Sequence, residues 1–151
     1  QMIEHATEPL VINGAVQVVN LMTPIQTREE YEDPNTIKVV VDQCSQALYF
    51  SREPIPSGSG VEGVFPLWKQ VCVIPFRRDY LSTFVKLRPT PLEEAESIDM
   101  LRILEHGGQV TMVPSPCKTQ SVDTPADLER VVRLMANDPL RSSYQKSQSA
   151  G

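Results

Sequence analysis

Few of the residue types that announce a site by themselves occur in this sequence. The longest apolar runs, Val39–Val41 and Val71–Ile74, fall far short of a membrane span. The first twenty residues lack a basic start, an apolar stretch and a small-residue cleavage motif, so no secretory signal is expected. Cysteine is limited to Cys44, Cys72 and Cys117, an odd number without close spacing, which speaks against a disulfide framework and for free cytosolic thiols. Histidine is limited to His5 and His106, far apart and in helix-like, charged surroundings, so neither a zinc cage nor a nucleophilic triad is expected. Cations are short as well: 14 Lys and Arg against 19 Asp and Glu give a net charge of -5. That balance excludes the basic face a nucleic-acid groove or an anionic membrane surface requires.

What remains is an ordinary globular composition, 40% apolar and 22% charged over 151 residues, the length of one typical domain. Met2, Ile3, Ala6 and Leu10 recur at helical spacing, and Pro9 is expected to limit that helix. Asn13-Gly14 punctuates, and Ala15 to Met22 reads as a buried strand running out at Pro24. Arg28 to Asn35 reads as an acidic connection. Thr36 to Asp42 and Ala47 to Ser51 form a β-hairpin turned by residues 43–46. Glu53 to Pro66 carries the proline and glycine of a loop. Lys69 to Phe76 is a further strand, with Pro75 pushing its end toward an edge or a bulge. Arg78 to Leu87 is a short helix, and Leu92 to His106 a longer one stopped by Gly107-Gly108. After the brief strand Val110 to Val113, Thr124-Pro125-Ala126-Asp127 opens a helix with a threonine cap, proline at the first position and an acid at the third. Leu128, Val131, Val132 and Met135 give that helix one apolar stripe. The polar residues after Asn137 read as a disordered tail. Strands alternating with helices, plus a hairpin, imply an α/β fold with a mixed sheet.

The chemistry-bearing candidates are few. Gly58-Ser59-Gly60 lies in a proline-rich loop rather than between a strand and a helix, so it does not make a phosphate cradle. Asp123 closes an extended segment just before a helix cap, a position where an α/β fold can hold a cation and where an acid equally serves the helix dipole. Glu96 and Asp99 are three apart on the acidic half of the Leu92–His106 helix. They form either a solvated face or, at Glu96, an acceptor for a polyhydroxylated ligand. Arg52, after Tyr49-Phe50-Ser51, can grip a carboxylate or pair with a neighbouring acid such as Glu53. Arg77 and Arg78 read as a surface pair at a helix start, and Cys72 as a small buried apolar residue.

Three segments, in order, carry a resemblance. Residues 33–42 (DPNTIKVVVD) with residues 47–56 (ALYFSREPIP), Pro89-Thr90-Pro91-Leu92-Glu93 with Glu96, Leu101, Arg102, Leu104 and Gly107, and residues 122–129 (VDTPADLE) resemble motifs of the 3-deoxy-manno-octulosonate (KDO) cytidylyltransferases. These enzymes join CTP and KDO into CMP-KDO and pyrophosphate for lipopolysaccharide assembly. The resemblance covers about residues 15 to 136, as the C-terminal part of the family's chain. It implies a nucleotidyltransferase fold whose nucleotide-binding part, with the phosphate loop and the first metal carboxylate, would lie before Gln1. It also implies a cytoplasmic homodimer built around a hairpin insertion at about residues 36–68, with no nucleic acid or membrane partner. Position by position, Asp123 would bind Mg2+, Glu96 would accept from sugar hydroxyls, and Arg52 would support the acidic sugar. Gln70 stands where the family has a histidine that touches KDO, Ile74 where it has a tyrosine, and Met100 where it has a glutamine. Such a part is expected to be inactive alone. Two other readings fit the same departures: a non-catalytic dimerisation or interaction paralogue, or an enzyme for another 2-keto acid sugar.

Overall fold

Valine-rich segments bounded by turns give a five-stranded mixed sheet, as the α/β reading requires. The structure is a computed structural model that describes residues 2–57, 67–117, 119, 122 and 124–136. The chain forms two compact units, residues 1–118 and 119–151. In the first, α1 (Met2–Ile12), β1 (Val19–Pro24), α2 (Arg28–Glu32), β2 (Lys38–Val41) and β3 (Ala47–Ser51) are followed by β4 (Trp68–Val71) and α3 (Arg78–Phe84). Then come α4 (Pro91–Glu96), α5 (Met100–Glu105) and β5 (Thr111–Pro114). The strand order is β3-β2-β4-β1-β5, antiparallel except for the β1–β5 pair. The two outer strands meet at one end: Ala47 donates its N–H to Val110 O at 2.9 Å, and Met112 to Ser45 O at 2.7 Å. The sheet therefore curls round its core rather than lying open.

That core joins Val18, Met22, Val39 and Phe50 of the sheet to Ile98, Met100, Leu101 and Ile103 of the helices. Phe50, Leu101 and Ile103 are wholly buried, each stabilising the fold by roughly 1.5–3 kcal/mol. A smaller cluster of Ala6, Leu21 and Val71 seats α1 on the opposite side of the strands.

Several expectations are corrected. The α1 helix passes through Pro9 to Ile12. Its last turn is held from outside, because Arg77 donates from Nη2 toward Leu10 O and Asn13 O and from Nε to Val16 O at 2.7 Å. Arg77 is therefore a structural clamp on orphan carbonyls rather than half of a surface pair. Residues 13–16 form a turn, so β1 starts later than Ala15. The acidic connection contains α2, whose cap Thr27 accepts from the Glu30 N–H at 3.2 Å. The long helix expected over 92–106 is two short ones, broken at Ser97 with φ 55° and ψ 50°. No straight helix face could hold Ile98, Met100, Leu101 and Ile103 together, and the break lets all four reach the core.

The hairpin matches its expected strands, with Asp42 closing the turn by accepting from the Cys44 and Gln46 N–H groups at 2.8 Å each. Regular β4 pairing stops at Val71, where the Val73 N–H folds back onto Val71 O at 2.7 Å. That kink turns Cys72 outward, and it is exposed rather than buried. Gly107, at φ 77°, makes the expected left-handed stop. A Cβ on Gly108 would lie 2.6 Å from the Tyr80 hydroxyl and 2.8 Å from Ile103, so close packing also requires glycine there. In the second unit, α6 (Pro125–Ala136) begins as expected: the Thr124 hydroxyl donates to Asp127 Oδ2 at 2.7 Å and accepts from the Asp127 N–H at 3.2 Å. The expected tail and the Gly58–Gly60 segment lie outside the described residues.

Candidate functional site

Two of the residues singled out in the sequence meet where the hairpin joins α4. The Glu96 carboxylate accepts from the Ser51 hydroxyl at 2.7 Å, the Arg52 N–H at 2.8 Å and the Tyr49 hydroxyl at 3.4 Å. Burial, reinforced by the negative charge of Glu96, pushes the Tyr49 phenol above its ordinary pKa and keeps it a donor. Each guanidinium nitrogen of Arg52 has a carbonyl partner: Nε on Glu96 O at 2.8 Å, Nη1 on Pro34 O at 3.0 Å and Nη2 on Ser97 O at 3.4 Å. Arg52 thus ties the 33–36 turn to the end of α4, and it pairs with no acid side chain there. Asp99, three residues from Glu96, sits beyond the Ser97 break at the N-cap of the next helix and shares no helical face with it.

Beneath this junction lies Lys38, wholly buried on β2. Its ammonium donates to Asp33 O at 2.8 Å, Thr36 O at 2.7 Å and Arg52 O at 2.5 Å. Burial lowers its pKa, against the raising pull of Asp33, Glu53 and Glu96. Three carbonyls answering three ammonium donors is what a buried lysine needs. The signal was present in the sequence as a lone cation inside Ile37-Lys38-Val39-Val40-Val41, and periodicity gave it no role.

The α4–α5 pair has its own bridge. Arg102 Nε donates to Glu93 Oε2 at 2.7 Å and Nη2 to Glu93 Oε1, while the guanidinium lies 5.0 Å above the Phe84 ring. Hydrogen bonding from Arg102 holds the Glu93 carboxyl below its ordinary pKa, and the same bond raises that of Arg102. Glu93 also reaches the Thr90 N–H at 3.4 Å. One member of the acidic run is therefore a buried structural partner rather than a solvated charge.

Gln70 stands apart from these contacts. It sits on β4, and its Nε2 donates to Asn20 Oδ1 of β1 at 2.6 Å. Asn20 is wholly buried and donates from Nδ2 to Leu21 O at 2.9 Å and Val71 O at 2.7 Å. Periodicity gives Asn20 no role, although an asparagine inside AVQVVNLM is a signal: an amide buried among valines needs partners. Of the two other departures, Met100 is a core residue and Ile74 packs against that core.

Asp123 lies outside the described residues. Among the described residues, no cluster of His, Cys, Asp or Glu is arranged to hold a metal ion, and no helix is long and apolar enough to cross a membrane. All three cysteines are free thiols.

With this geometry in view, comparison with known proteins is specific. A family model described as cytidylyltransferase matches residues 1–137. A 3-deoxy-manno-octulosonate cytidylyltransferase of Geobacter metallireducens is 36% identical over 145 residues, covering 89% of this chain and 57% of its own. One of Synechococcus elongatus is 44% identical over 107 residues, covering 71% of this chain and 44% of its own. A solved CMP:2-keto-3-deoxy-manno-octonic acid synthetase complexed with CTP superposes with a TM-score of 0.80 at 35% identity, covering 89% of this chain and 55% of that one. The chain thus spans a little over half the length of several such relatives. The mixed sheet is that of the nucleotidyltransferase-like synthetase fold, and the hairpin–α4 junction joins its resembling segments, since Arg52 reaches Pro34 O and Glu96 O while Ser51 and the Arg52 N–H reach the Glu96 carboxylate. The chain belongs to the cytidylyltransferase family and is similar over most of its length to the 3-deoxy-manno-octulosonate enzymes.

Proposed function

We propose that this chain supplies the sugar-acid side of a cytidylyltransferase that joins CTP to 3-deoxy-manno-octulosonate and releases pyrophosphate. The observation that carries the reading is the hairpin–α4 junction. Family-like segments far apart in sequence converge there through Ser51, Arg52 and Glu96, and 89% of the chain superposes on a CMP:2-keto-3-deoxy-manno-octonic acid synthetase.

Within this reading each residue has a defined task. Glu96 keeps acceptor capacity beyond its three protein donors, since a carboxylate offers about four lone-pair sites, and it would take a sugar hydroxyl. Arg52, with its guanidinium spread over three carbonyls, acts on an acidic sugar through the residual field of its charge and by fixing Glu96. Gln70 would supply a neutral amide where the family has a histidine. Such an array orients the sugar's anomeric hydroxyl toward the α-phosphate, a contribution of position and electrostatics. Among the described residues nothing forms a metal cage. Mg2+, which would neutralise phosphate charge, therefore enters only as an expectation attached to Asp123. A homodimer through the hairpin and a cytoplasmic setting in lipopolysaccharide assembly complete the proposal.

The burial of Met100 and the core packing of Ile74 favour substitution within a packed core over decay of a sugar site. That weakens the reading as a non-catalytic interaction module. An enzyme for another 2-keto acid sugar remains the second reading, because Gln70 changes the hydrogen-bonding character of one sugar contact. Calorimetric titration of the chain with 3-deoxy-manno-octulosonate and with a sialic acid tests both. Saturable binding of the octulosonate without pyrophosphate release from CTP is expected. Preference for the sialic acid would move the assignment to the second reading, and binding of neither would remove the sugar-acid role.

A further inference from the structure

The buried amide of Asn20 has one chemically consistent orientation. Its two backbone neighbours, Leu21 O and Val71 O, can only accept, so the Nδ2 side must face them. Oδ1 is left for Gln70, whose Nε2 must then be the atom that approaches it, at 2.6 Å. Asn20 is wholly buried, so no rotation toward solvent competes with this arrangement. At the far side of the Gln70 amide, Oε1 has no partner among the described residues. Nor is it one of their buried unsatisfied atoms, and Gln70 itself is half-buried.

We infer that Asn20 is a positioning residue: it locks the Gln70 amide so that position 70 presents a fixed hydrogen-bond acceptor to the ligand. This rests on the reading above that position 70 faces the sugar acid. A histidine can offer either an N–H or a lone pair, depending on tautomer and protonation. A glutamine held by its NH2 end offers a carbonyl oxygen at every pH. The ligand group that meets Oε1 is therefore a hydroxyl that donates, whereas a carboxylate or keto oxygen at that edge would meet lone pairs with lone pairs. Asn20 and Gln70 together set which face of a polyhydroxylated acid can lie against β4, without either moving a proton.

The test has two readouts on the full chain. In the side-chain amide NMR spectrum, the Gln70 pair is identified by its disappearance in Gln70→Glu. One of its protons is expected to exchange far more slowly than those of exposed Gln109. Asn20→Thr, which keeps a strand-compatible residue, is expected to abolish that difference. In titrations with 3-deoxy-manno-octulosonate, Gln70→Met and Asn20→Thr are each expected to weaken binding about tenfold. The double variant should be no weaker than either single, the signature of residues acting through one contact. A Gln70 spectrum indifferent to Asn20→Thr, or losses that add, would overturn the inference. Should Asn20→Thr fail to fold, the wild-type exchange rate decides, because a Gln70 amide exchanging as fast as Gln109 is not held. If the amide is held but wild-type chain binds no octulosonate, the positioning stands and the sugar reading of position 70 is refuted.

Discussion

The hairpin–α4 junction and the Asn20–Gln70 pair are built from the same kinds of side chain and end in opposite states. At the junction protein answers every donor, Lys38 with three carbonyls and Arg52 with three more, while Glu96 accepts three protein donors and keeps room for about one more. On β4 the chain of bonds runs from backbone through Asn20 to Gln70 and stops at an open acceptor. The first arrangement holds elements together. The second holds a side chain ready for something outside the protein. Polar residues of one unit can thus divide into scaffold and contact, and whether a side chain keeps an unanswered hydrogen-bonding site is what tells them apart.

Removing charges from the closed region should cost the most. Glu93→Ala strands the Arg102 guanidinium, which is mostly buried, and is expected to destabilise by about 3 kcal/mol in chemical denaturation. The double variant Glu93→Met with Arg102→Leu should recover most of that loss. If it does not, the bridge is more than a compensated buried pair. Lys38→Met, which leaves three carbonyls without a donor, should cost about 2 kcal/mol by the same measurement and leave sugar affinity within about twofold of wild type if the fold survives.

Acid should separate the regions as well. The folded Glu93 carboxyl titrates below its unfolded value because Arg102 favours its ionised form. Its contribution is therefore complete above the ordinary carboxylate range and fades as pH falls through the depressed folded pKa. Melting temperatures of wild type and Glu93→Gln should converge on acidification, whereas Gln70→Met should run parallel to wild type. The smallest effect on stability belongs to Gln70→Met itself, expected to cost about 1 kcal/mol because Asn20 Oδ1 loses its donor, while weakening sugar binding. A large loss of stability in this variant would erase the distinction between scaffold and contact.

The physical reach of the sequence explains what was legible in it. Local signals served well where the answer is local. The hairpin followed from two valine- and aromatic-rich runs, the Gly107 stop from left-handed backbone, and the α6 start from Thr124 and Asp127. They failed where a distant partner decides. Pro9 does not end α1, and Arg77, far along the chain, holds the Leu10 carbonyl of its last turn and the turn that follows. The 92–106 helix breaks because four apolar side chains share one core that a straight helix cannot serve. Arg52 and Glu96 are recognisable as residues of interest from motif resemblance, but the hydrogen bonds between them are a tertiary fact. Asn20 and Lys38 passed unnoticed because a single polar residue in an apolar strand has no period, only a need for partners that the fold supplies. Asp123 reads from its place before a helix cap equally as a cation ligand or a helix-dipole acid, only the family resemblance makes it a Mg2+ ligand, and it lies outside the described residues.

The most direct test of the function joins this chain behind the N-terminal part of the Geobacter metallireducens relative and measures pyrophosphate release from CTP, Mg2+ and sugar acid. The account expects release that depends on 3-deoxy-manno-octulosonate and falls in Gln70→Met and Glu96→Gln, with the melting temperature of Gln70→Met little changed. A folded, CTP-binding hybrid that releases no pyrophosphate with this sugar, or releases it equally without any sugar, would contradict it.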